Sequence, residues 1–204
     1  MWSYQISNET HGHLSEQIAD WYQESAKARG TGIARRSPEY IKQKIVNGHG
    51  FLVFREDTNH SDTKKMQLAG FCYVEVWNDG AFLANSGLII SEKYRGFGLG
   101  FDLKQFAFKN SRKLFPKAKL FGLTTSQQVM SINSDLGYRP VTFGNLTKDQ
   151  KFWQACRSCV NYPVLSKKNF SNCLCTAMLF DPAREINKAE NKQISLKEET
   201  GSCP

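Results

Sequence analysis

Several things are missing from this 204-residue sequence. No apolar run approaches the roughly 18–20 residues that a membrane helix requires. The longest, around Ser86–Ile90, has the length of a strand. The N-terminus, Met1-Trp2-Ser3-Tyr4-Gln5, has neither a basic start nor an apolar core, so no secretory signal is expected. Without an export signal, the six cysteines read as thiols or metal ligands, not as a disulfide framework, and the expected location is cytoplasmic. No internal repeat is visible. Acids are nearly absent between Lys93 and Lys119, where eight basic residues face only Asp102. That local excess of seven is almost the whole formal charge of +8.

What is present suits a folded domain. Apolar residues are 40% and charged residues 23% of the chain, enough to bury a core. The basic stretch is either a solvated helix face or a surface for anions such as phosphates, nucleic acid, acidic lipids or carboxylates. A second stretch, Lys27 to Lys44, carries six bases against Glu39.

Helical spacing of Leu14, Ile18, Trp21, Tyr22 and Ala26 predicts a first helix. Ser37 as N-cap and Pro38 at the first helical position open a second, which Ile41, Ile45 and Val46 carry to Gly48. Three strands follow, at 51–55, 68–77 and 82–90, the first two separated by a polar turn at 57–62 and the last two by Asn78-Asp79-Gly80. Beyond them come a glycine-rich turn, a helix over 101–115, a strand at 120–125, a short helix over 126–136, a strand at 138–143 and a last strand at 173–180. Strand runs followed by alternating elements indicate an α+β, mixed-sheet domain over residues 1–182, of which 146–182 is a cysteine-bearing extension holding the last strand. Residues 183–204 are polar and charge-balanced, and are expected to be a disordered tail.

Arg95-Gly96-Phe97-Gly98-Leu99-Gly100 lies between a predicted strand and a predicted helix. Glycines without a Cβ let successive N–H groups converge on an anion, and the helix N-terminus adds its dipole. A phosphate cradle is the physical expectation. No Lys-Ser/Thr follows, so this is not a P-loop, and Phe101 stands where a dinucleotide fingerprint needs its third glycine.

The pattern Arg-x-x-Gly-x-Gly at Arg95, Gly98 and Gly100, following the strand Leu88-Ile89-Ile90, resembles the acyl-CoA loop of the GCN5-related N-acetyltransferase (GNAT) superfamily. The order of elements matches that family over residues 14 to about 143. The resemblance implies a mixed sheet splayed at the acyl-CoA site and flanked by helices. It implies that the backbone of residues 96–100 (Gly96, Phe97, Gly98, Leu99, Gly100) holds the CoA pyrophosphate beside Arg95. Leu88, Ile89 and Ile90 would pair with the pantetheine arm and supply an oxyanion donor. The basic stretch would then steer CoA.

Finer likenesses point to short, single-domain N-acetylglutamate synthases: Gly30-Thr31-Gly32 running to Arg35-Arg36-Ser37, the Leu123-Thr124-Thr125 strand end, and Trp153-x-x-Cys156-x-x-Cys159 followed by Asn172-Cys173. They imply transfer of an acetyl or succinyl group to the α-amine of an amino acid, glutamate foremost, in arginine biosynthesis. Arg35 and Arg36 would hold substrate carboxylates, for which paired guanidinium forks are suited; otherwise they are solvated residues ahead of a helix. The chain departs from the family at two points. Asn133 stands where many relatives have an acidic tyrosine, and can only hydrogen-bond the CoA arm or place a water. Ala84, followed by Asn85 and Ser86, stands where synthases often have a glutamate. Glu75 on the neighbouring strand is the best remaining carboxylate for a water-mediated base, or else a solvated strand residue.

Cys156-x-x-Cys159 and Cys173-x-Cys175 supply four thiols, enough to close a structural zinc site, or are small buried hydrophobes or a redox-sensitive pair. The four histidines fall in no motif. The alternatives to an amino-acid acyltransferase are a GNAT enzyme acting on a protein or other small amine, and a degenerate, zinc-stapled nucleic-acid-binding module. The intact glycine loop disfavours the last, so nucleic acid and membrane are not expected partners. A homodimer is common in families of this fold.

Overall fold

The computed structural model describes residues 1–29, 34–57 and 65–185. The polar turn at 57–62 and the tail thus lie almost entirely outside the described residues, as do Gly30 to Ile33.

One seven-stranded sheet organises the chain: β1 (Trp2–Ile6), β2 (Gly50–Asp57), β3 (Lys65–Trp77), β4 (Phe82–Ile90), β5 (Lys119–Thr124), β6 (Arg139–Val141) and β7 (Thr176–Phe180). Its spatial order is β1-β2-β3-β4-β5-β7-β6. All neighbours are antiparallel except β4 and β5. That parallel pair needs a crossover, and α3 (Leu99–Leu114) supplies it. This is the mixed, helix-flanked sheet expected from the sequence.

Apolar residues run continuously through β2 because both faces of the sheet are covered. Leu52 and Phe54 pack with Phe71, Tyr73 and Ile89 beneath α1 (Ser15–Arg29) and α2 (Pro38–Val46), which contribute Ile18, Tyr22, Ile41 and Ile45. Phe51 and Val53 point the other way, to Leu99, Leu103 and Ala107 of α3. The α2 start is as predicted: Ser37 Oγ accepts from the Tyr40 N–H, with Pro38 at the first turn. Asn78 and Asp79 both take positive φ, 50° and 52°, as a tight β3–β4 hairpin requires.

Three features were not foreseen. β1 pairs along the outer edge of β2. β7 inserts between β5 and β6 instead of joining an edge. After α4 (Gln127–Asp135) and β6, both expected, the segment before β7 forms two short helices, α5 (Gln150–Gln154) and α6 (Tyr162–Lys167), linked by a 3-10 turn over Ala155–Ser158. Here Phe152, Trp153 and Leu165 cluster with Phe121, Ala177 and Leu179.

Two irregularities shape the centre. β4 and β5 pair only from Phe82 to Ala84 against Lys119 to Phe121, then part. Within β4, register with β3 jumps between Ser86 (opposite Tyr73) and Ile89 (opposite Phe71), leaving Gly87 and Leu88 without register partners. Gly87 has φ +67°, and a Cβ there would collide with the Tyr22 hydroxyl and the Tyr73 ring. Only glycine fits. Tyr22 Oη donates to the carbonyl oxygen of Gly87, pinning the bulge to α1.

Candidate active site

The parted strands enclose a cavity of ≈ 190 Å³. Its walls come from β4 beyond Ala84, from β5 and its exit through Leu123, Thr124 and Thr125, from β3, and from the extension through Phe152, Ala155 and Cys156.

The glycine loop and Ile90 do not line this cavity; the loop lies beyond Leu88, whose side chain is 3.9 Å from where a Gly100 Cβ would stand. Gly96 and Gly98 take φ +87° and +76°, and a Cβ on either would meet nothing within 4 Å, so the surface there is open to a ligand. Gly98 is the N-cap of the sixteen-residue α3, and its carbonyl accepts from the N–H groups of Phe101 and Asp102. Arg95, half exposed, reaches the Ile90 carbonyl with Nε at 3.4 Å and Glu92 with its guanidinium at 3.7 Å. Leu88 and Ile89 line the cavity.

A polar network built by α2, β3 and the residues before α2 forms another part of the wall. Arg36 Nε donates to Tyr73 Oη at 2.9 Å, and its Nη1 donates to the carbonyls of Ala155 (3.3 Å) and Arg35 (3.2 Å). The guanidinium lies over the Tyr40 ring at 5.2 Å. Burial alone works against the Arg36 cation, but Tyr73, Tyr40 and Glu75 outweigh it, raising its pKa and fixing its charge. Glu75 is 7% exposed and not solvated. Its Oε1 accepts from Tyr40 Oη at 2.6 Å and pairs with Lys44 Nζ at 2.8 Å. Both bonds fall on one carboxylate oxygen, leaving Oε2 for a further partner. Burial, with Tyr73 and Glu75 nearby, pushes the Tyr40 phenol far above its ordinary range, so it is a donor at any physiological pH.

Arg36 and Glu75 are therefore brought into the cavity together with Leu88 and Ile89. Arg35 is exposed and offers its carbonyl, which accepts from Ser158 Oγ at 3.2 Å and ties the extension down. Asn133 lies elsewhere. It is fully buried on α4, with Nδ2 against Met178 Sδ at 3.5 Å and Oδ1 unpartnered, and it lines no part of the cavity.

Cys156, Cys159 and Cys175 line the cavity, but among the described residues no three His, Cys, Asp or Glu side chains are placed to hold a metal ion. The four-thiolate zinc site suggested by spacing is not assembled. Cys156 and Cys173 pack instead against the aromatic cluster of the extension. Burial pushes the Cys156 thiol up to about 11 and the Cys175 thiol up to about 12, keeping them protonated.

Lys104 corrects the reading of the basic stretch. It is 2% exposed, lines the cavity and donates to Asn85 Oδ1 at 3.3 Å, so it is no part of a steering surface. Tyr22, Tyr40, Tyr73, Asn85 and Lys104 were all missed. Tyr73 carried a usable signal, since it sits two residues from Glu75 and shares its face of β3.

A parallel pair that splays after three residues, a bulge at the splay, and an open glycine loop capping the crossover helix make a specific combination. The fold is that of the GNAT acetyltransferases. N-acetylglutamate synthase from Neisseria gonorrhoeae, solved with coenzyme A and N-acetyl-glutamate, superposes with a TM-score of 0.60 at 14% identity, over 89% of this chain and 35% of that one. This chain thus spans about a third of that synthase. A GNAT-family acetyltransferase from Staphylococcus aureus gives 0.58 at 12% identity over 89% and 99% of the two chains. A Mycobacterium tuberculosis protein in complex with CoA gives 0.57 at 14% over 88% and 98%. No protein-family model matches the sequence, and no curated protein matches it. Among the described residues, no helix is long and apolar enough to cross a membrane.

Proposed function

We propose that the protein is an acyl-CoA-dependent N-acyltransferase that uses acetyl- or succinyl-CoA to acylate the α-amine of an amino acid, with glutamate the best-supported acceptor and arginine biosynthesis its setting. The observation that carries this reading is that Arg36 and Glu75 line one cavity together with Gly87 and Leu88 of the bulged β4. A CoA thioester laid along Leu88 and Ile89 from the glycine loop would bring its carbonyl to the bulge. Beyond Ala84, β4 has no register partner in β5, and backbone N–H groups around Leu88 would suit a developing oxyanion there.

Arg36 spends Nε and Nη1 on the protein, so Nη2 is left to receive the acceptor's carboxylate. Glu75 Oε2 takes the proton that the attacking ammonium must shed, directly or through one water. Lys44 and Tyr40 hold the carboxylate in place for that task. The leaving thiolate takes its proton from solvent, since Asn133 offers none. The extension covers the cavity with Phe152 and Ala155, favouring a small acceptor over a protein chain. The four cysteines serve as wall and packing thiols. The protein acts in the cytoplasm, alone or as a homodimer.

Release of CoA thiol from acetyl-CoA and from succinyl-CoA, against a panel of amino acids including glutamate, tests the reading. Turnover with glutamate supports it. CoA binding without turnover of any amino acid replaces the acceptor, and no CoA binding overturns the reading entirely.

A further inference from the structure

The reaction just outlined has no use for the most deeply buried cation in the cavity. Lys104 rises from the second turn of α3, beneath the point where β4 and β5 part. Ala84 is the last residue of β4 paired with β5, and Asn85, which Lys104 touches, is the first beyond it. The ammonium has three N–H protons and one acceptor, Asn85 Oδ1, at a long 3.3 Å. Among the described residues no carboxylate lies within salt-bridge distance of it. The thiol of Cys72 stands nearby, but burial pushes it up to about 12, so it supplies no anion. Burial lowers the lysine to about 8, which still leaves it mostly charged at neutral pH.

The other groups at this spot are short of acceptors too. Asn85 Nδ2 and Tyr138 Oη are buried side by side, the amide directed at the hydroxyl oxygen, and neither makes a well-formed hydrogen bond. An isolated buried charge is costly, and an unsatisfied donor beside it adds to the cost. An apolar acyl tail would leave all of this uncompensated. A carboxylate would satisfy it, accepting from Lys104 Nζ and Asn85 Nδ2 in a charge-assisted arrangement. The floor of the cleft, past the bulge, is where the far end of an acyl chain would point if its carbonyl sits at Leu88.

We infer that Lys104 and Asn85 form a carboxylate-binding subsite at the closed end of the cleft, and that the acyl donor is a dicarboxylic half-thioester of about the length of succinyl-CoA. This rests on the acyl-CoA reading above and narrows its donor. Lys104 is then a specificity determinant, touching the donor's distal carboxylate and not the reacting atoms.

The test needs no acceptor. Two non-hydrolysable thioethers, S-(3-carboxypropyl)-CoA and S-butyl-CoA, share chain length and differ only at the tip. Their dissociation constants are measured by calorimetry on the wild-type protein, with free CoA as reference. The carboxylate form should bind at least about tenfold more tightly, the discrimination typical of a buried charged hydrogen bond. The ratio should persist from low to high salt, because a buried pair is little screened, whereas attraction by the surface lysines would fade. In Lys104→Met the ratio should collapse towards one. Equal binding of the two thioethers to the wild type overturns the inference while leaving the acyl-CoA reading intact, and needs no variant to fold. A ratio that vanishes with salt, or that survives in Lys104→Met, also overturns it. Failure of free CoA to bind overturns both.

Discussion

The two sides of the cleft are built on different principles. The side proposed for the donor is almost all backbone: two left-handed glycines, the N-terminus of α3 and a bulged strand that parts from β5. The acceptor side is almost all side chain: Arg36, Tyr40, Lys44, Tyr73 and Glu75 converge from α2, β3 and the residue just before the Ser37 cap. A backbone site can be kept with any residues that permit its conformation. A side-chain site changes its ligand with each residue it exchanges. On the proposed reading, generic recognition of CoA and particular recognition of an amine therefore fall to differently built parts of the cleft.

Gly87 belongs to both sides, and breaking it should do the most damage. Gly87→Val places a branched side chain at positive φ against Tyr22 and Tyr73, and should cost about 3 kcal/mol or more, read as a large fall in thermal midpoint. Glu75→Gln touches only the acceptor side. The expected result is a drop in kcat of about 10²- to 10⁴-fold with the Michaelis constant for acyl-CoA unmoved. An equal rise in that constant would mean that the two sides are not separable. Gly98→Ala is its mirror image. A methyl at φ +76° costs about 1 kcal/mol of strain, so affinity for CoA should weaken severalfold while the acceptor constant stays put, measured by initial rates with each substrate varied in turn.

The smallest effect should come from outside the cleft. Lys119 and Asp181 pair at 2.8 Å beside the β5–β7 edge. Partial burial works against the Asp181 carboxylate, but Lys119 and the Ala183 N–H overcome it and hold its pKa below the ordinary value. A depressed carboxylate contributes stability above its unfolded pKa and loses it as pH falls through the folded value. Asp181→Asn should thus cost under about 1 kcal/mol at pH 7 and nothing once acid has protonated the wild-type carboxylate, with activity unchanged. Thermal melts at two pH values decide this.

The same division explains what could be read from the sequence. The glycine loop was visible because its pattern is local: six consecutive residues carry the spacing, and Gly96 and Gly98 take positive φ, as the glycines suggested. The helix starts and hairpin were visible for the same reason. Glu75 was found only by elimination, and its partners Tyr40 and Lys44 lie more than thirty positions away, beyond any local pattern. Lys104 was misread because a lysine among lysines looks solvated. Its neighbours on the helix told otherwise, since Gly100, Ala107 and Ser111 make a stripe of small residues that only a close-packed face needs. The cysteines misled in the opposite sense. Their spacing suggested one zinc centre, and the four thiols do lie near one another, but among the described residues no three are placed to hold a metal, and Cys156 and Cys173 pack against the aromatic cluster.

The place of β7 has a consequence for how the chain reaches this state. The last strand of the described residues fills an interior slot of the sheet, with β5 on one side and β6 on the other. Until residues 176–180 arrive, β6 has no strand to pair with and one edge of β5 stays bare, although the glycine loop and α3 have already been synthesised. A growing chain must hold that slot open, and closing it joins segments far apart in sequence, a slow kind of step. Assembly of the cleft thus ends like a keystone being set, and donor and acceptor walls become one rigid object only when the final strand slides home.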